Sequence, residues 1–475
     1  MKSEKNSGRW VVLFITAIST FMSALDGSIV NVALPKMAWE LHVATGQATW
    51  IVSIYLLVLS VCTLLFGRLG DLRGQGRIFR FGLLTFTGGS LLCGLSGTFP
   101  LLIGSRAVQA VGAAACMANC QGIITRTFPQ EERGRALGIN GAFVALGMLA
   151  GPALGGAILS FADWKVLFWI NVPVGTAAIL ANLHFTGAKD VRRREKLDWT
   201  GFFLFTLIIC PLFLALQYGQ AVGYGNPLIL TCFGVAAVSA VLFLTAEKRS
   251  PQPLLDLSIF RNKWFSISLF CAFTSFVAIA GSNIVLPFYL QDVLGMTPGK
   301  AGAYLTIYPL ILALTAPLSG WLSDRVGAER ITALGLALTS AGLYLLSCLN
   351  GSPSRVELGG FISVMSLGNG LFQSPNNSLV MSMLPPEKLG TGGSMNALVR
   401  NVGMAAGTAL STAILYGGMS ARLGRRVSGF EPGGEEAFLF GMRAVYITAA
   451  TICLTGAVLT TVRLLSLRKR KASKK

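Results

Sequence analysis

Long apolar segments recur along nearly the whole chain, and they restrict its fold more than any other feature. We count about fourteen runs of roughly 20 residues, the length that an α-helix needs to cross about 30 Å of hydrocarbon. Only 12% of the 475 residues are charged. Because hydrocarbon offers the backbone no hydrogen-bond partner, each run must satisfy its own peptide groups as a helix. The sequence therefore predicts an all-α integral membrane protein with about 14 transmembrane helices.

The predicted spans leave no gap that is long enough for a separate soluble domain. They are roughly residues 10–34, 49–67, 80–97, 101–125, 137–161, 166–186, 199–218, 227–246, 264–290, 301–322, 331–350, 358–383, 391–417 and 442–465. All nine cysteines fall within these spans, and the chain has only two histidines. We therefore expect buried, unpaired thiols rather than a disulfide framework or a metal site.

The formal net charge of +19 would by itself suit a nucleic-acid-binding protein. Its distribution favours another explanation. If both termini lie inside, most of the 39 Lys and Arg residues fall in inner loops and tails, as the positive-inside rule requires. The basic runs at 192–194 and 468–471 then lie next to anionic lipid. We expect a multi-pass protein of the cell membrane with both termini cytoplasmic and with no nucleic-acid partner.

Two short loops repeat the pattern G-x-L-x-D. Gly67 to Asp71 closes the second predicted span, and Gly320 to Asp324 closes the tenth. Repeated halves are common in transporters, which bind substrate between them. Because the related loops follow the second and tenth spans, two helices are predicted to be inserted between two six-helix halves. The predicted division is 1–198 for the N-terminal bundle, 199–263 for the inserted linker helices and 264–475 for the C-terminal bundle.

The carboxylate of Asp71 has two interpretations. A carboxylate at a helix end can cap exposed backbone amides and interact with the positive end of a neighbouring helix dipole. Alternatively, Asp71 and Arg77 form only a surface ion pair, which is worth under about 1 kcal/mol.

The fifth span carries a glycine-proline pattern, G-x8-G-x3-GP-x2-GG. Its members are Gly138, Gly147, Gly151, Pro152, Gly155 and Gly156. The glycines at 147, 151 and 155 recur every four residues, so they share one helix face on which another backbone can approach closely. The proline removes an intrahelical hydrogen bond and should bend the helix. Ordinary helix packing is the alternative explanation for the pattern.

Asp26 is the one acidic residue of twenty that the predicted topology places inside a span. A carboxylate in a membrane is costly and usually functional, so Asp26 could exchange protons or meet a cationic substrate. The alternative is a structural bond to a nearby helix. Arg106 lies at a similar depth in the fourth span, which makes it a candidate neighbour, although it could instead snorkel to the headgroups. Arg400 lies in the thirteenth span.

The segments around these charges resemble signatures of the fourteen-span drug:proton antiporters of the major facilitator superfamily. The stretch 25–35 resembles L-D-x-T-I-V-N-V-A-L-P, with Ser28 in place of the usual Thr. The stretch 106–114 resembles R-x-x-Q-G-x-G-A-A, with Ala110 in place of the first Gly. The glycine-proline run of the fifth span resembles the antiporter motif. The resemblance covers most of the chain and is strongest over 25–175.

The loop after the second span resembles the family signature G-x-L-x-D-x-x-G-x-x-x. It departs from that signature at Leu72, where a basic residue is usual, and at Gly76. The resemblance implies the major facilitator fold of two six-helix bundles plus the two inserted helices. It also implies that Asp26 and Arg106 couple proton movement. The implied gating loops, which latch the halves together in one conformation, contain Gly67, Asp71, Arg77 and Asp324.

Polar residues inside the spans are candidates for the substrate cavity. They are Asn31, Gln109, Asn369, Asn376 and Arg400. For the last three, helix packing is an equally good explanation.

We expect a proton-coupled secondary active exporter of small amphipathic or hydrophobic compounds such as drugs or antibiotics. The alternatives are a lipid or dedicated metabolite exporter on the same scaffold, or a non-transporting membrane sensor. No nucleotide-binding loop and no catalytic constellation are found in the sequence, so we expect neither ATP coupling nor an enzyme. We expect no cofactor or metal besides the coupling proton. The expected partners are a small-molecule substrate and the lipid bilayer, and the expected state is a monomer.

Overall fold

Each predicted apolar span overlaps a long helix in the computed structural model, which describes residues 2–43, 48, 50–185, 197–425, 427 and 433–472. The long helices are α1 Lys2–Glu40, α2 Trp50–Arg73, α3 Gln75–Leu95, α4 Phe99–Thr127, α5 Arg133–Phe161, α6 Asn171–Phe185, α7 Trp199–Val222, α8 Pro227–Arg249, α9 Lys263–Phe288, α10 Ile307–Val326, α11 Ala328–Ser347, α12 Arg355–Ser382, α13 Leu389–Leu423 and α14 Glu435–Ala472. Two short helices, Val166–Trp169 and Pro298–Leu305, precede α6 and α10 and cover the first residues of the spans predicted there. The basic run at 192–194 lies outside the described residues.

Within the described residues, 12 helices are long and apolar enough to cross a membrane. The other two of the fourteen differ in instructive ways. The apolar segment Val166–Asn182, most of which belongs to α6, is shorter than the others. Helix α12 has 28 residues, but it carries Asn, Gln and Ser side chains along its length. The prediction of an all-α membrane protein is thus confirmed, and the predicted number of about 14 spans is consistent with the 12 long apolar helices and these two.

Several helices extend past the apolar runs from which they were predicted. Helix α2 continues to Arg73 and therefore includes Asp71. Helix α8 continues to Arg249 and includes Glu247, which is 3% exposed. Asp26 is therefore not the only acidic side chain buried in a spanning helix. The apolar run marks the hydrocarbon depth, whereas the helix itself continues into the interface.

Tertiary contacts divide the chain into two compact units. Unit 1 contains Met1–Cys210, Val235–Ile259 and Met381–Leu398, and unit 2 contains Pro211–Gly234, Phe260–Val380 and Val399–Lys475. The predicted three-part division at residues 198 and 263 stays a prediction. In unit 1, α1 packs along α5, and α4 packs against α2 and α3. In unit 2, α14 packs against α9 and α11.

The two repeated loops have the same backbone geometry. A single glycine joins α2 to α3 and another joins α10 to α11. Gly74 has φ 100° and ψ 124°, and Gly327 has φ 100° and ψ 130°. This left-handed region is one that glycine adopts without steric cost. Because each glycine follows the loop aspartate by three positions, the repeat extends from sequence to structure.

Candidate functional site

Asp26 and Arg106 form a fully enclosed ion pair in unit 1. Arg106 Nη1 lies 2.6 Å from Asp26 Oδ2, and neither side chain has exposed surface. Asp26 comes from α1, and Arg106 comes from the early part of α4. Two opposite charges can be buried when they neutralise each other and their remaining polar atoms find partners. The structure thus brings together the two residues that the sequence places at similar depth.

Gln109 bridges the two charges. It follows Arg106 by three positions and so shares its helix face. Its Oε1 accepts a hydrogen bond from Arg106 Nη1 at 2.6 Å, and its Nε2 donates to Asp26 Oδ1 at 2.8 Å and to Ser90 Oγ at 2.9 Å. The two neighbours fix the orientation of the amide, because the cation needs an acceptor and the carboxylate needs a donor.

Uncharged groups of α2 and of the short helix Val166–Trp169 also surround the Arg106 guanidinium, whose Nη2 has no hydrogen-bond partner among the described residues. Its Nε donates to the carbonyl oxygen of Ile51 at 3.0 Å. Its central carbon lies 4.3 Å from the centre of the Tyr55 ring and 5.7 Å from that of Phe168. All three partners are buried. A desolvated cation over an aromatic face gains about 2 kcal/mol. Arg106 is therefore held by a carboxylate, an amide, a carbonyl and an aromatic ring.

Glycines of the fifth span bring α5 against α1 beside this pair. A Cβ on Gly147 would lie 2.6 Å from the carbonyl oxygen of Phe21. A Cβ on Gly151 would overlap the Ser28 hydroxyl. That hydroxyl also donates to the carbonyl oxygen of Gly147 at 3.3 Å. The contacts lie on both sides of Asp26 along α1, so the glycine face positions the segment that carries the carboxylate.

The other members of the glycine-proline pattern have different surroundings. Gly155 also faces α1, where a Cβ would lie 3.0 Å from Ile29 Cγ1. Gly138 is buried. Pro152 and Gly156 are exposed, and a Cβ on Gly156 would meet nothing within 4 Å. Close helix approach thus involves the glycines at 147, 151 and 155, as their spacing predicts.

Asp71 caps the start of α13. Its Oδ1 accepts a hydrogen bond from the backbone N–H of Gly390 at 2.7 Å. Its Oδ2 accepts from the backbone N–H of Thr391 at 2.8 Å and from Thr391 Oγ1 at 2.7 Å. Gln75 Nε2 donates to Oδ1 at 3.3 Å. First-turn N–H groups have no intrahelical partner, and the N-terminus carries the positive end of the helix dipole, so a carboxylate is favourable there.

Small residues allow the loop to approach α13. A Cβ on Gly67 would lie 2.5 Å from Ser394 Cβ and 2.7 Å from the carbonyl oxygen of Gly390. A Cβ on Gly390 would lie 2.5 Å from the carbonyl oxygen of Gly67. The two glycines therefore face each other and set the distance at which Asp71 can reach its donors.

Two further contacts hold the turn Pro386–Lys388 that precedes α13. Arg126 Nη2 donates to the carbonyl oxygen of Pro386. Lys388 Nζ pairs with Asp256 Oδ2 at 2.5 Å, in the segment between α8 and α9. Partial burial disfavours the charged form of Asp256, but hydrogen bonds from Lys388 and Ser258 outweigh it and lower its pKa to about 2. The start of α13 and the turn before it thus contact α2, α4 and the segment between α8 and α9.

Arg77 lies in the first turn of α3, just after the first repeated loop, and Asp324 lies near the end of α10, just before the second. Arg77 is exposed, whereas Asp71 is buried and directs its hydrogen bonds to Gln75 and α13. The structure therefore shows a helix cap at Asp71 rather than a surface ion pair with Arg77. Asp324 is half-buried near the end of α10.

The candidate cavity residues have varied environments. Asn31 is exposed, and its Nδ2 donates to the carbonyl oxygen of Gly27. Asn369 is fully buried, donates to Ser275 Oγ at 2.9 Å and accepts from the Tyr308 hydroxyl at 3.1 Å. Interhelical bonds of this kind are typical of packing in membranes.

The two remaining members of that set are also in unit 2. Asn376 is 3% exposed and donates to the carbonyl oxygen of Ser268 at 3.2 Å. Arg400 is half-buried in α13. The substrate role of the whole set stays a prediction.

Sequence reasoning missed several side chains that complete these sites. Tyr55, Ser90 and Thr391 give no local signal, because aromatic and hydroxyl residues are ordinary in helices of this kind. Arg463 in α14 is 3% exposed and donates to Ser268 Oγ at 2.8 Å. A basic residue near the end of a span usually anchors at the headgroups, so its burial has no signature in the sequence.

Comparison with known proteins connects this architecture to one family. The model of the Major Facilitator Superfamily matches residues 16–408 and 268–475. The riboflavin transporter RibZ of Clostridioides difficile is 34% identical over 95% of this chain and 97% of its own length. The multidrug resistance protein Stp of Mycobacterium tuberculosis is 30% identical over 88% of this chain and 78% of its own. The multidrug transporter protein MdtP of Bacillus subtilis is 27% identical over 89% and 77%.

A solved structure has the same fold. The human organic anion transporter MFSD10 aligns with a TM-score of 0.66 at 14% sequence identity, covering 96% of this chain and 99% of that one. At this identity the likeness concerns the fold alone.

Proposed function

Because this chain belongs to the Major Facilitator Superfamily, we propose that it exports small amphipathic or hydrophobic compounds from the cell in exchange for protons. Its relatives are membrane transporters, and the chain is a multi-pass membrane protein. The observation that carries the proton-coupling proposal is the enclosed pair of Asp26 and Arg106. Burial of charge within spanning helices is costly, and such charges usually have a function.

Proton binding changes the net charge of this site. With Asp26 ionised, the pair is neutral. A proton on Asp26 leaves the Arg106 charge without its counter-charge in a region from which water is excluded. The relative free energies of the transporter's conformations must change in response, which links proton binding to alternating access. One charge moving through about 100 mV is worth about 2.3 kcal/mol, so the membrane potential can contribute to the drive.

The Asp71 cap supplies the proposed latch. It stabilises one conformation through three hydrogen bonds to Gly390 and Thr391. Bonds between a carboxylate and helix N-terminal amides are charge-assisted and therefore strong. They must break if the start of α13 moves away from α2. The related geometry at Gly74 and Gly327 supports a gating role for both loops, including Arg77 and Asp324.

The nature of the pair also bears on the substrate. Asp26 is already bonded to Arg106 and Gln109, so it is not a free counter-charge for a polycation. We propose neutral, monocationic or zwitterionic substrates rather than dications. The relatives named as multidrug proteins favour a broad exporter. The relative named as a riboflavin transporter favours a single metabolite as the substrate, as in the second candidate, a dedicated metabolite exporter.

We further propose that both termini lie in the cytoplasm, that the protein acts as a monomer and that it uses no cofactor other than the coupling proton. The basic residues of the inner loops support the orientation.

Transport by purified protein in liposomes with an imposed pH gradient tests the proposal. A panel containing riboflavin and chemically diverse drugs is added, and both compound movement and internal pH are recorded. We expect gradient-driven export of at least one compound, with matching proton flux that a protonophore abolishes.

Asp26→Asn should lose this flux, whereas Asp163→Asn, a control carboxylate at a partly exposed site, should retain it. Parental flux in Asp26→Asn would refute proton coupling at this site. No flux with any compound, from monodisperse protein, would favour the sensor alternative.

A further inference from the structure

The guanidinium of Arg106 keeps its charge whatever the state of Asp26, so something must stabilise it when the carboxylate is neutral. We propose that Tyr55 is a positioning residue of the proton-coupling site, whose ring face holds Arg106 in place while Asp26 is protonated. This inference rests on the proposed coupling role of Asp26.

The protonation step sets the requirement. A proton adds to Asp26 Oδ2 and forms an O–H bond, and no covalent bond is broken. The charge-assisted hydrogen bond that Arg106 Nη1 donates to that oxygen, 2.6 Å long, is lost or weakened. The net charge of the enclosed pair rises from zero to +1. An unpaired buried cation is very costly unless neighbouring dipoles or aromatic faces stabilise it.

The groups that remain around Arg106 after protonation are all uncharged. Gln109 Oε1 accepts from Nη1 at 2.6 Å, and the Ile51 carbonyl accepts from Nε at 3.0 Å. Both lie beside the guanidinium, in the directions in which its N–H bonds point. The Tyr55 ring covers a face at 4.3 Å, where hydrogen bonding is impossible. An aromatic ring is the uncharged group that attracts a cation from that direction.

The remaining neighbours lie farther from the cation or carry no charge. Phe168 lies farther from the guanidinium, at 5.7 Å. The titratable groups that face the pair are Tyr55 on α2 and Cys93 on α3, with Cys116 on α4 facing Tyr55. Phenols and thiols ordinarily carry no charge at physiological pH. When Asp26 is protonated, the Arg106 charge is therefore stabilised mainly by the Gln109 amide, the Ile51 carbonyl and the Tyr55 ring.

Weakening the ring contact should affect the two states unequally. With Asp26 ionised, the carboxylate dominates the stabilisation of Arg106, so loss of the ring matters less. With Asp26 protonated, only the amide, the carbonyl, this ring and the more distant Phe168 ring remain, so loss of the nearer ring matters more. Protonation then requires a higher proton concentration, and the pH profile of transport moves to lower pH.

The test measures the pH midpoint of proton-coupled transport by the full-length protein in liposomes, with the exported compound that gives the largest flux. Tyr55→Leu removes the aromatic face and should lower the midpoint by about one pH unit, which corresponds to about 1.4 kcal/mol. Tyr55→Phe keeps the face and should stay within a few tenths of a unit of the parental midpoint, on the order of 0.3. Tyr446→Leu, at a fully buried tyrosine of unit 2, is the matched control and should lower thermal stability without moving the midpoint.

A series of variants with graded cation–π attraction at position 55 avoids a folding defect as an explanation, because the side-chain shape hardly changes. Replacing Tyr55 by phenylalanines with one, two and three ring fluorines weakens the attraction for a cation while hardly changing shape. The midpoint should fall stepwise with fluorine number. A parental midpoint in Tyr55→Leu or in the fluorinated series overturns the inference, even when Asp26→Asn is inactive and the proposed function stands. Parental gradient-driven transport by Asp26→Asn overturns both, because the inference requires Asp26 as the proton carrier.

Discussion

Asp71 and Thr391 are joined by two hydrogen bonds although 320 positions separate them in the chain. One carboxylate oxygen accepts from both the backbone N–H and the hydroxyl of the threonine, at 2.8 Å and 2.7 Å. The acceptor belongs to the loop signature and lies in the last turn of α2, and the donors lie in the first turn of α13. A contact of this kind stabilises a helix end, and it also makes that helix end dependent on the position of the loop.

Asp71→Asn should shift the conformational equilibrium while leaving substrate affinity nearly unchanged. The amide keeps the shape of the side chain, but it loses the negative charge that interacts with the helix N-terminus. Hydrogen bonds to a charged group contribute about 1.5–3 kcal/mol, so we expect roughly a tenfold change in the ratio of states. The measurement is the labelling rate of cysteine reporters on the predicted inner side, together with substrate binding.

A second variant separates the effect of the Asp71 charge from that of the Thr391 hydroxyl. Thr391→Val removes one of the donors but leaves both backbone amides, so it should produce a smaller shift than Asp71→Asn. A large loss of substrate affinity in Asp71→Asn, with unchanged reporter labelling, would contradict the latch.

Gly151→Leu should impair transport much more than Gly156→Leu. The side chain at 151 would collide with Ser28 on α1, in the stretch that carries Asp26, whereas a Cβ at 156 meets nothing within 4 Å. Both substitutions add the same side chain to the same helix, and overpacking of a close contact typically costs about 1–3 kcal/mol. The comparison requires purified, monodisperse protein and initial transport rates. Equal rates for the two variants would show that the glycine face is packing that tolerates change.

The sequence predicts the membrane class and the helices well, because both follow from local physics. Apolar runs of a set length must be helices in lipid, and all fourteen runs overlap α1 to α14. The loop repeat is also readable, since Gly74 and Gly327 each need the same left-handed conformation.

The partners of the functional groups are less predictable, because they come from distant parts of the chain. Depth along two helices makes Asp26 and Arg106 candidate neighbours, but it does not indicate that Gln109 links them or that Tyr55 covers the cation. Likewise, the loop signature marks Asp71 as important without identifying Thr391 as its donor. Which helix faces meet is decided by packing in three dimensions, and no periodicity in one segment records it.

The ion pair of Asp256 and Lys388 should be insensitive to pH over the range in which transport operates. The pKa of Asp256 is lowered to about 2, so the stability that the pair contributes is fully present above the ordinary pKa of about 4 and is lost only as the pH falls through about 2. Both side chains are about one-third exposed, so the contribution is small. Lys388→Gln should therefore change thermal stability or reporter labelling by the same small amount at pH 5, 6, 7 and 8.

This insensitivity to pH distinguishes the Asp256–Lys388 contact before α13 from the proton-coupling site. Asp26→Asn should alter the pH dependence of transport, whereas Lys388→Gln should leave its shape unchanged. An effect of Lys388→Gln that grows or disappears between pH 5 and pH 8 would mean that another group titrates at this contact.

Neutralising both members of the Asp26 and Arg106 pair should disturb folding less than neutralising Arg106 alone. Removing one partner of a buried ion pair leaves an uncompensated charge and typically costs about 3–5 kcal/mol. In Arg106→Gln, the Asp26 carboxylate retains the hydrogen bond from Gln109, but it loses its counter-charge. In the double variant Asp26→Asn/Arg106→Gln, two amides face each other and can exchange a hydrogen bond. We therefore expect the melting temperature of the double variant to exceed that of Arg106→Gln, while both remain inactive in gradient-driven transport.

Thermal unfolding in detergent, followed by proton-flux measurements in liposomes, gives the melting temperature and the transport activity for the same preparations of these variants. Additive losses of stability in the double variant would show that the two charges do not depend on each other, and the charge-pair basis of the proton-coupling site would then be wrong.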